Sequence, residues 1–421
     1  MIPLKRKLHA GHGIIQYLTK RIKGHRPEEH PGISHAGLFE KLPPELIELI
    51  ANSSDARGVC ALRLTCTYIN NSTLHTFESN YSVQTIRTDF SKDSFKRLTD
   101  LCKMRHLAVK VETVHVTGRV NFSYLGKGFK WKHTDGDEMT LIDDQSAVTE
   151  WCALFLQLVN CGNFIISGFG QNAANIDLLS KGDALMLLFY IIGAVDIPVK
   201  SFRVEGTDSR DLQRTGYFEK PRFRNAWATV ESLEFHRVDP SRPVYAFFAP
   251  LVAYATSLKR LKIDDYLDVH TMNFIGRATL TLQELHLTQR WNIAGRLPAQ
   301  CWTAWDLEGR AGYLRKLHIL RLAMEGGASW IPFLSSLRQH HTSLEEITIS
   351  GFYTGGTVKR WLHFPAIAVD PVVDPATGSE FQYRCWSEGW GPGRPLCMYV
   401  KYAGPRMGIA LQRLEATAQE G

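Results

Sequence analysis

Residues 282–287 read Leu-Gln-Glu-Leu-His-Leu, and this six-residue frame decides the fold. The apolar side chains at its fourth and sixth places are two apart, so on an extended strand they share one side. The apolar first place packs where the strand begins. The same frame recurs as Val111-x-x-Val114-x-Val116, Val199-x-x-Phe202-x-Val204, Val230-x-x-Leu233-x-Phe235, Leu258-x-x-Leu261-x-Ile263, Leu314-x-x-Leu317-x-Ile319 and Leu344-x-x-Ile347-x-Ile349. From Val199 onward the copies are spaced by roughly 24 to 32 residues, a period in the range of repeat arrays. A degenerate copy is expected near Phe164–Ile166, in the long gap after Val116.

Helical stretches are expected between the strands, at Val148–Val159, Ala184–Val195, Val244–Thr256, Val269–Ala278 and Trp330–His340. Upstream, Ser94–Leu107 carries Phe95, Leu98, Leu101 and Cys102 on one helical face. Strand, helix and parallel strand leave each unit one buried side, and stacking the units completes the core. The expected class is therefore α/β. The pattern resembles the leucine-rich repeat, although most copies lack that family's asparagine or cysteine. The alternative is a wound parallel sheet, but no glycine-rich nucleotide loop follows a strand.

A second organising stretch runs from Leu38 to Asn71, LFEKLPPELIELIANSSDARGVCALRLTCTYINN. Leu42, Leu46, Leu49 and Ile50 recur at helical spacing around Pro43-Pro44, and proline suits a helix start because its missing N–H would have no partner there. Asp55 is placed to cap a second helix. On that helix Val59, Leu62, Cys66 and Ile69 form one stripe. Two or three such short helices cannot bury their apolar faces alone.

Leu42-Pro43-x-Glu45-Leu46, Ile50, Leu62-x-Leu64-x-Cys66 and Ile69 together resemble an F-box, and Arg63-Leu64-Thr65-Cys66 sits in the frame of its fungal variant. Ser54 and Ile69 depart from the family, which usually has an apolar and an aromatic residue there. The resemblance implies docking on the Skp adaptor of a cullin-type ubiquitin ligase, through Leu42, Pro43, Leu46, Ile50, Leu62, Leu64, Cys66 and Ile69. The alternative is an ordinary helical hairpin buried in its own domain.

At 421 residues, 44% hydrophobic and 22% charged, the composition is that of a globular protein with room for two or three domains. No apolar run is long enough to span a bilayer, and the amino terminus lacks a cleavable apolar signal. The eight cysteines form no CxxC pair, which fits free thiols in a reducing compartment, cytoplasmic or nuclear. Lys5, Arg6, Lys7, Lys20, Arg21, Lys23 and Arg26 face only Glu28 and Glu29 in the first 37 residues, so most of the +7 net charge belongs to this leader. It reads as a solvated tail or as a split nuclear-import signal. The remainder is near neutral and carries no RNA-binding signature.

Polar insertions at Gly118–Ser146, Gly206–Ala226 and Thr288–Gly312 follow strands, and in a repeat array they leave from one rim. They hold Phe129, Trp131, Tyr217, Phe218, Arg222, Arg224, Trp291, Trp302 and Trp305, residue types that concentrate binding energy. With the strand face they form the expected surface for a protein target. Catalytic signals are weak. Gly168-Phe169-Gly170 is an incomplete dinucleotide loop, His340-His341 point different ways on a helix, and Asp143-Asp144 and Asp264-Asp265 read as solvated turn residues. No catalytic, cofactor-binding or metal-ligating residue is assigned.

Past residue 351 the frame stops. Phe352–Gly356 reads as a turn, Met398–Tyr402 as a strand, Gly389–Pro395 as a loop, and Gly408–Thr417 as a short helix before a mobile tail. The expected organisation is a basic leader over 1–37, an F-box-like helical module over 38–80, a repeat solenoid over 81–351 and an aromatic-rich cap over 352–421. The expected function is substrate recognition for a Skp–cullin–F-box ligase, with no membrane and no cofactor. The alternative is an F-box protein with a scaffold or chromatin-associated role, nuclear or otherwise, acting without ubiquitin transfer.

Overall fold

The computed structural model describes residues 41–80, 84–117, 131–133, 139–141, 145–167, 181–205, 221–236, 245–265, 275, 281–289, 313–325, 330–355, 358–363, 372–373, 380–381, 384–386, 399–404 and 406–420. The chain divides into two compact units, Met1–Ser82 and Val83–Gly421.

The first unit is helical: α1 Pro44–Ser53, α2 Ala56–Arg63, α3 Thr67–Ser72 and α4 Leu74–Asn80. Pro43 stands at the N-cap of α1 with Pro44 just inside, and Asp55 caps α2 by accepting the Gly58 N–H at 2.8 Å. The expected stripe from Val59 to Ile69 is split over two helices. The chain turns at Leu64–Thr65, and Cys66 becomes the N-cap of α3. Ile47, Ala51, Val59, Ile69, Thr73 and Thr76 are buried. The Tyr68 hydroxyl donates to the Leu42 carbonyl at 2.9 Å, fastening α3 to the start of α1.

The second unit is built on a 13-stranded sheet. Its parallel strands are β1 Thr85–Thr88, β2 Thr113–Thr117, β5 Asn163–Ser167, β6 Ser201–Glu205, β7 Ser232–His236, β8 Arg260–Asp265, β9 Glu284–Gln289, β10 Lys316–Glu325 and β11 Glu346–Gly355. A separate hairpin, β3 Trp131–His133 with β4 Met139–Leu141, lies inside the first insertion, which is therefore not wholly irregular. The main strands neighbour one another in sequence order, without the reversal that marks a doubly wound sheet.

The register follows the frame. Ile86, Val114, Phe164, Phe202, Leu233, Leu261, Leu285, Leu317 and Ile347 align across the sheet, and so do Val116, Ile166, Val204, Phe235, Ile263, Leu287, Ile319 and Ile349. All of these are buried. The degenerate copy falls at β5, where Cys161 takes the first place. An earlier strand, β1, lacks the full frame: its sixth place is Thr88, a buried hydroxyl that donates to Ser94 Oγ at 3.1 Å.

Each strand starts the same way. One carbonyl accepts two consecutive N–H groups from the next strand: Gln84 from Glu112 and Thr113, Glu112 from Gly162 and Asn163, Lys200 from Glu231 and Ser232, and Gln283 from Arg315 and Lys316. A hydroxyl placed just before the first apolar position bonds backward. Thr229 donates to the Val199 carbonyl at 3.0 Å, Thr281 to Leu258 at 2.9 Å and Ser343 to Leu314 at 3.1 Å.

The helices are α5 Lys92–Lys103, α6 Arg105–Ala108, α7 Ser146–Phe155, α8 Lys181–Val195, α9 Pro221–Ala228, α10 Tyr245–Tyr254, α11 Trp330–His340 and α12 Met407–Thr417. The expected helix at 94–107 breaks into α5 and α6 at Met104. The one expected at 269–278 lies outside the described residues apart from Ile275. Trp227 of α9 sits among Phe189, Phe202 and Phe223, with ring centroids 5.0 to 5.6 Å away, and its indole N–H donates to the Leu251 carbonyl at 2.6 Å. Packed aromatic edges and faces of this kind add to the apolar area already buried.

At the far end the parallel order stops. β11 pairs antiparallel with β16 Tyr399–Ala403 along its first half and with β12 Val358–His363 along its second, β15 Arg384–Trp386 pairs with β16, and β13 Val372–Val373 and β14 Glu380–Phe381 form a separate pair. Residues 352–355 thus continue a strand rather than forming the expected turn. Helix α12 begins at Met407, and the terminal residues form β17 Gln419–Glu420 against β12 instead of a tail. The described residues contain no helix long and apolar enough to cross a membrane.

Candidate functional site

Two surfaces stand out. The first is on the helical unit. Helix α1 is amphipathic: Ile47 and Ala51 point inward, while Leu46 and Leu49 are 46% and 62% exposed and Ile50 is also exposed. Leu64, in the turn after α2, is 63% exposed. Leu46, Leu49, Ile50 and Leu64 are thus large apolar side chains that this small unit leaves uncovered.

The expected docking residues separate on this basis. Pro43, Leu46, Ile50 and Leu64 are exposed, and Leu42, Leu62 and Cys66 are half-buried. Ile69 is fully buried and belongs to the interior, so it presents no surface to a partner. The periodicity placed it on the stripe without showing that α3 turns it inward. Leu49, the most exposed apolar residue of α1, was not among the expected contacts.

The second surface is the strand face opposite the apolar rows. Between the aligned core residues run Arg87, His115, Ile165, Arg203, Glu234, Lys262, His286, His318 and Thr348. Charges on neighbouring strands alternate in sign and bond across the sheet. Arg203 pairs with Glu205 and approaches Glu234. Glu284 accepts from Arg260 and from Lys316, each at 2.8 Å, and Glu346 pairs with Lys401 of β16. Each exposed cross-strand pair contributes only a few tenths to about 1 kcal/mol, but together they leave the face close to neutral.

Histidines punctuate it. His236 lies between two carboxylates, with Nε2 3.2 Å from Glu234 and Nδ1 3.5 Å from Asp264. Asp264 and Glu234 raise its pKa above the ordinary value against the opposing effect of burial, and His236 in turn holds Glu234 low. Asp264 therefore lies within strand β8 and partners a histidine rather than sitting in a solvated turn. His286 and His318 stack with centroids 4.1 Å apart and planes 9° from parallel. Burial pushes both down, His286 to about 4, so the stacked pair is uncharged at neutral pH. Near the amino-terminal edge, His115 Nε2 lies 2.6 Å from Ser167 Oγ.

The expected target-binding residues of the insertions are dispersed. Phe129, Tyr217, Phe218, Trp291, Trp302 and Trp305 lie outside the described residues, as do Gly168-Phe169-Gly170, Asp143-Asp144 and Gly389–Pro395. Trp131 opens strand β3. Arg222 and Arg224 belong to α9, not to a loop; both are exposed, and Arg224 lies over the Tyr254 ring at 4.6 Å. Phe223 between them is buried in the core, which explains why this part of the insertion folds as a helix. His341 is buried rather than solvated. Among the described residues no cluster of three or more His, Cys, Asp or Glu is placed to hold a metal ion. The described cysteines Cys60, Cys66, Cys102, Cys152 and Cys161 are free thiols, and burial pushes Cys161 up to about 12.

No protein-family model matches the chain, and comparison with curated proteins returns no match.

Proposed function

We propose that this chain is a substrate-recognition subunit of a Skp–cullin–F-box ubiquitin ligase. In this reading the helical unit is an F-box that docks on the Skp adaptor, and the sheet unit is a leucine-rich-repeat-like solenoid that holds a protein target. The observation that carries it is the apolar surface of Leu46, Leu49, Ile50 and Leu64, left open on a unit whose sequence resembles an F-box. Fully burying one such side chain is worth about 1.5–3 kcal/mol, so even partial cover of four gives a partner several kcal/mol. The sequence-ordered strands, the forked hydrogen bonds at each strand start and the backward hydroxyl bonds support the solenoid reading, because they repeat one unit geometry.

The mechanism needs no catalytic residue from this chain. Tethering raises the effective concentration of the target's lysines near the charged ubiquitin-carrying enzyme.

The test is co-purification of tagged chain with Skp and cullin, comparing the native protein with a Leu46→Glu, Leu64→Glu variant. Both substitutions fall on exposed positions, so the variant should melt like the native protein. The ligase reading expects Skp and cullin with the native chain and loss of both with the variant. Skp without cullin favours the scaffold alternative. Recovery of neither, or equal recovery by both proteins, overturns the docking surface.

A further inference from the structure

The Ser167–His115 contact plays no part in the proposed target recognition, yet it sets a serine hydroxyl directly against a histidine ring nitrogen. Ser167 is the last residue of β5 and His115 the third of β2, the neighbouring strand. At 2.6 Å the Ser167 hydroxyl is within close hydrogen-bond reach of His115 Nε2, and Ser167 is 7% exposed. Both side chains stand on the polar strand face, Ser167 at the carboxyl end of β5 and His115 at the middle of β2. On β6, which borders β5 with Ile165 opposite Arg203, the Arg203 guanidinium faces the same side. Its Nε is buried without a hydrogen-bond acceptor, with Glu234 3.7 Å away, while its Nη2 pairs with Glu205.

We infer that Ser167 and His115 form a nucleophile–base pair that accepts acyl groups from small esters, with Arg203 as the cation facing the developing oxyanion. With the ring proton on Nδ1, the serine hydroxyl donates to Nε2 and loses its proton to it as Oγ attacks the ester carbonyl. The bond from the carbonyl carbon to the alcohol oxygen breaks, and His115 returns the proton to the leaving alcohol. Water then attacks the acyl-serine, giving its proton to His115. The acid leaves, and the proton returns to Ser167 Oγ. A base must be unprotonated to act. Burial first, then Arg87 and Arg203, hold the His115 pKa below its ordinary 6.5, with Glu205 opposing.

The experiment treats the full chain with a fluorophosphonate probe and p-nitrophenyl acetate and maps any adduct by mass spectrometry. The expected result is a probe adduct on Ser167 of the native protein, absent in Ser167→Ala and formed at least about tenfold more slowly in His115→Gln. The labelling rate should rise with pH through the folded pKa of His115, which lies below the ordinary 6.5, and then level off. Site mapping on the native chain does not depend on how the variants fold. No adduct at Ser167, or one whose rate His115→Gln leaves unchanged, overturns the assignment. Skp capture by Ser167→Ala separates this inference from the ligase reading, which predicts no change there.

Discussion

Gly351→Ala tests the junction where the parallel ladder ends. A Cβ built on Gly351 would lie 2.0 Å from Trp330 Cζ2, 2.6 Å from Cε2 and 2.8 Å from Cη2. The neighbour is the rigid face of an indole, not the end of a flexible chain. Trp330 is fully buried, and Phe333 meets it edge-on with centroids 5.7 Å apart, so the ring has no free direction in which to retreat. Ordinary overpacking costs about 1–3 kcal/mol. A contact this close belongs at the top of that range, and the expected loss is about 3 kcal/mol. Trp330→Leu alone removes ring volume from the core and should also cost about 2–4 kcal/mol. In that background the alanine methyl has room, and adding Gly351→Ala should cost under about 1 kcal/mol, a coupling of about 2 kcal/mol between the two sites. Guanidinium unfolding followed by far-UV circular dichroism measures all four proteins. A single-mutant cost below about 1 kcal/mol, or two costs that simply add, would refute the steric argument.

Two further outcomes follow from the interior and the polar face. Trp227→Phe keeps a ring among Phe189, Phe202 and Phe223 but leaves the buried Leu251 carbonyl without its indole donor, so it should cost about 1–3 kcal/mol; chemical denaturation of the single variant checks this, and a neutral result would mean the carbonyl finds another donor. The His236 clamp should make stability depend on pH. Its raised pKa means that its contribution is complete below the ordinary histidine value near 6.5 and fades as pH rises through the folded value, while Glu234, held low by His236, loses its part only as pH falls below about 4.5. The gap in melting temperature between native protein and His236→Gln should therefore be widest near pH 5–6 and shrink by pH 8; a gap independent of pH would show that the clamp does not titrate.

The sheet was legible because its core rows obey a period of two that recurs at regular intervals along the chain. From Val199 to Ile349 the frame marked each buried pair at its proper strand. It missed β1 because Thr88 satisfies a buried hydroxyl locally instead of supplying an apolar side chain. A second signal lies in the threonine or serine before Val230, Leu282 and Leu344, whose hydroxyl binds the preceding unit's backbone at the strand start. The helical unit was legible at its caps but not at its interior, because the turn at Leu64 rotates α3 and carries Ile69 inward. The polar strand face was the least legible part. Its pairs, such as His236 with Asp264 and Ser167 with His115, join residues 28 and 52 apart in sequence and meet only because the strands lie in order.

That order has a consequence for how such a chain can change length. In the parallel part of the sheet, from β1 and β2 through β5 to β10, each strand pairs only with the strands before and after it, and the forked bonds that join them are made by main chain alone. Excising one strand-and-helix module would bring together two borders that already match in polarity, spacing and bonding, so the reach of the exposed face is a quantity that can be shortened or extended in whole steps.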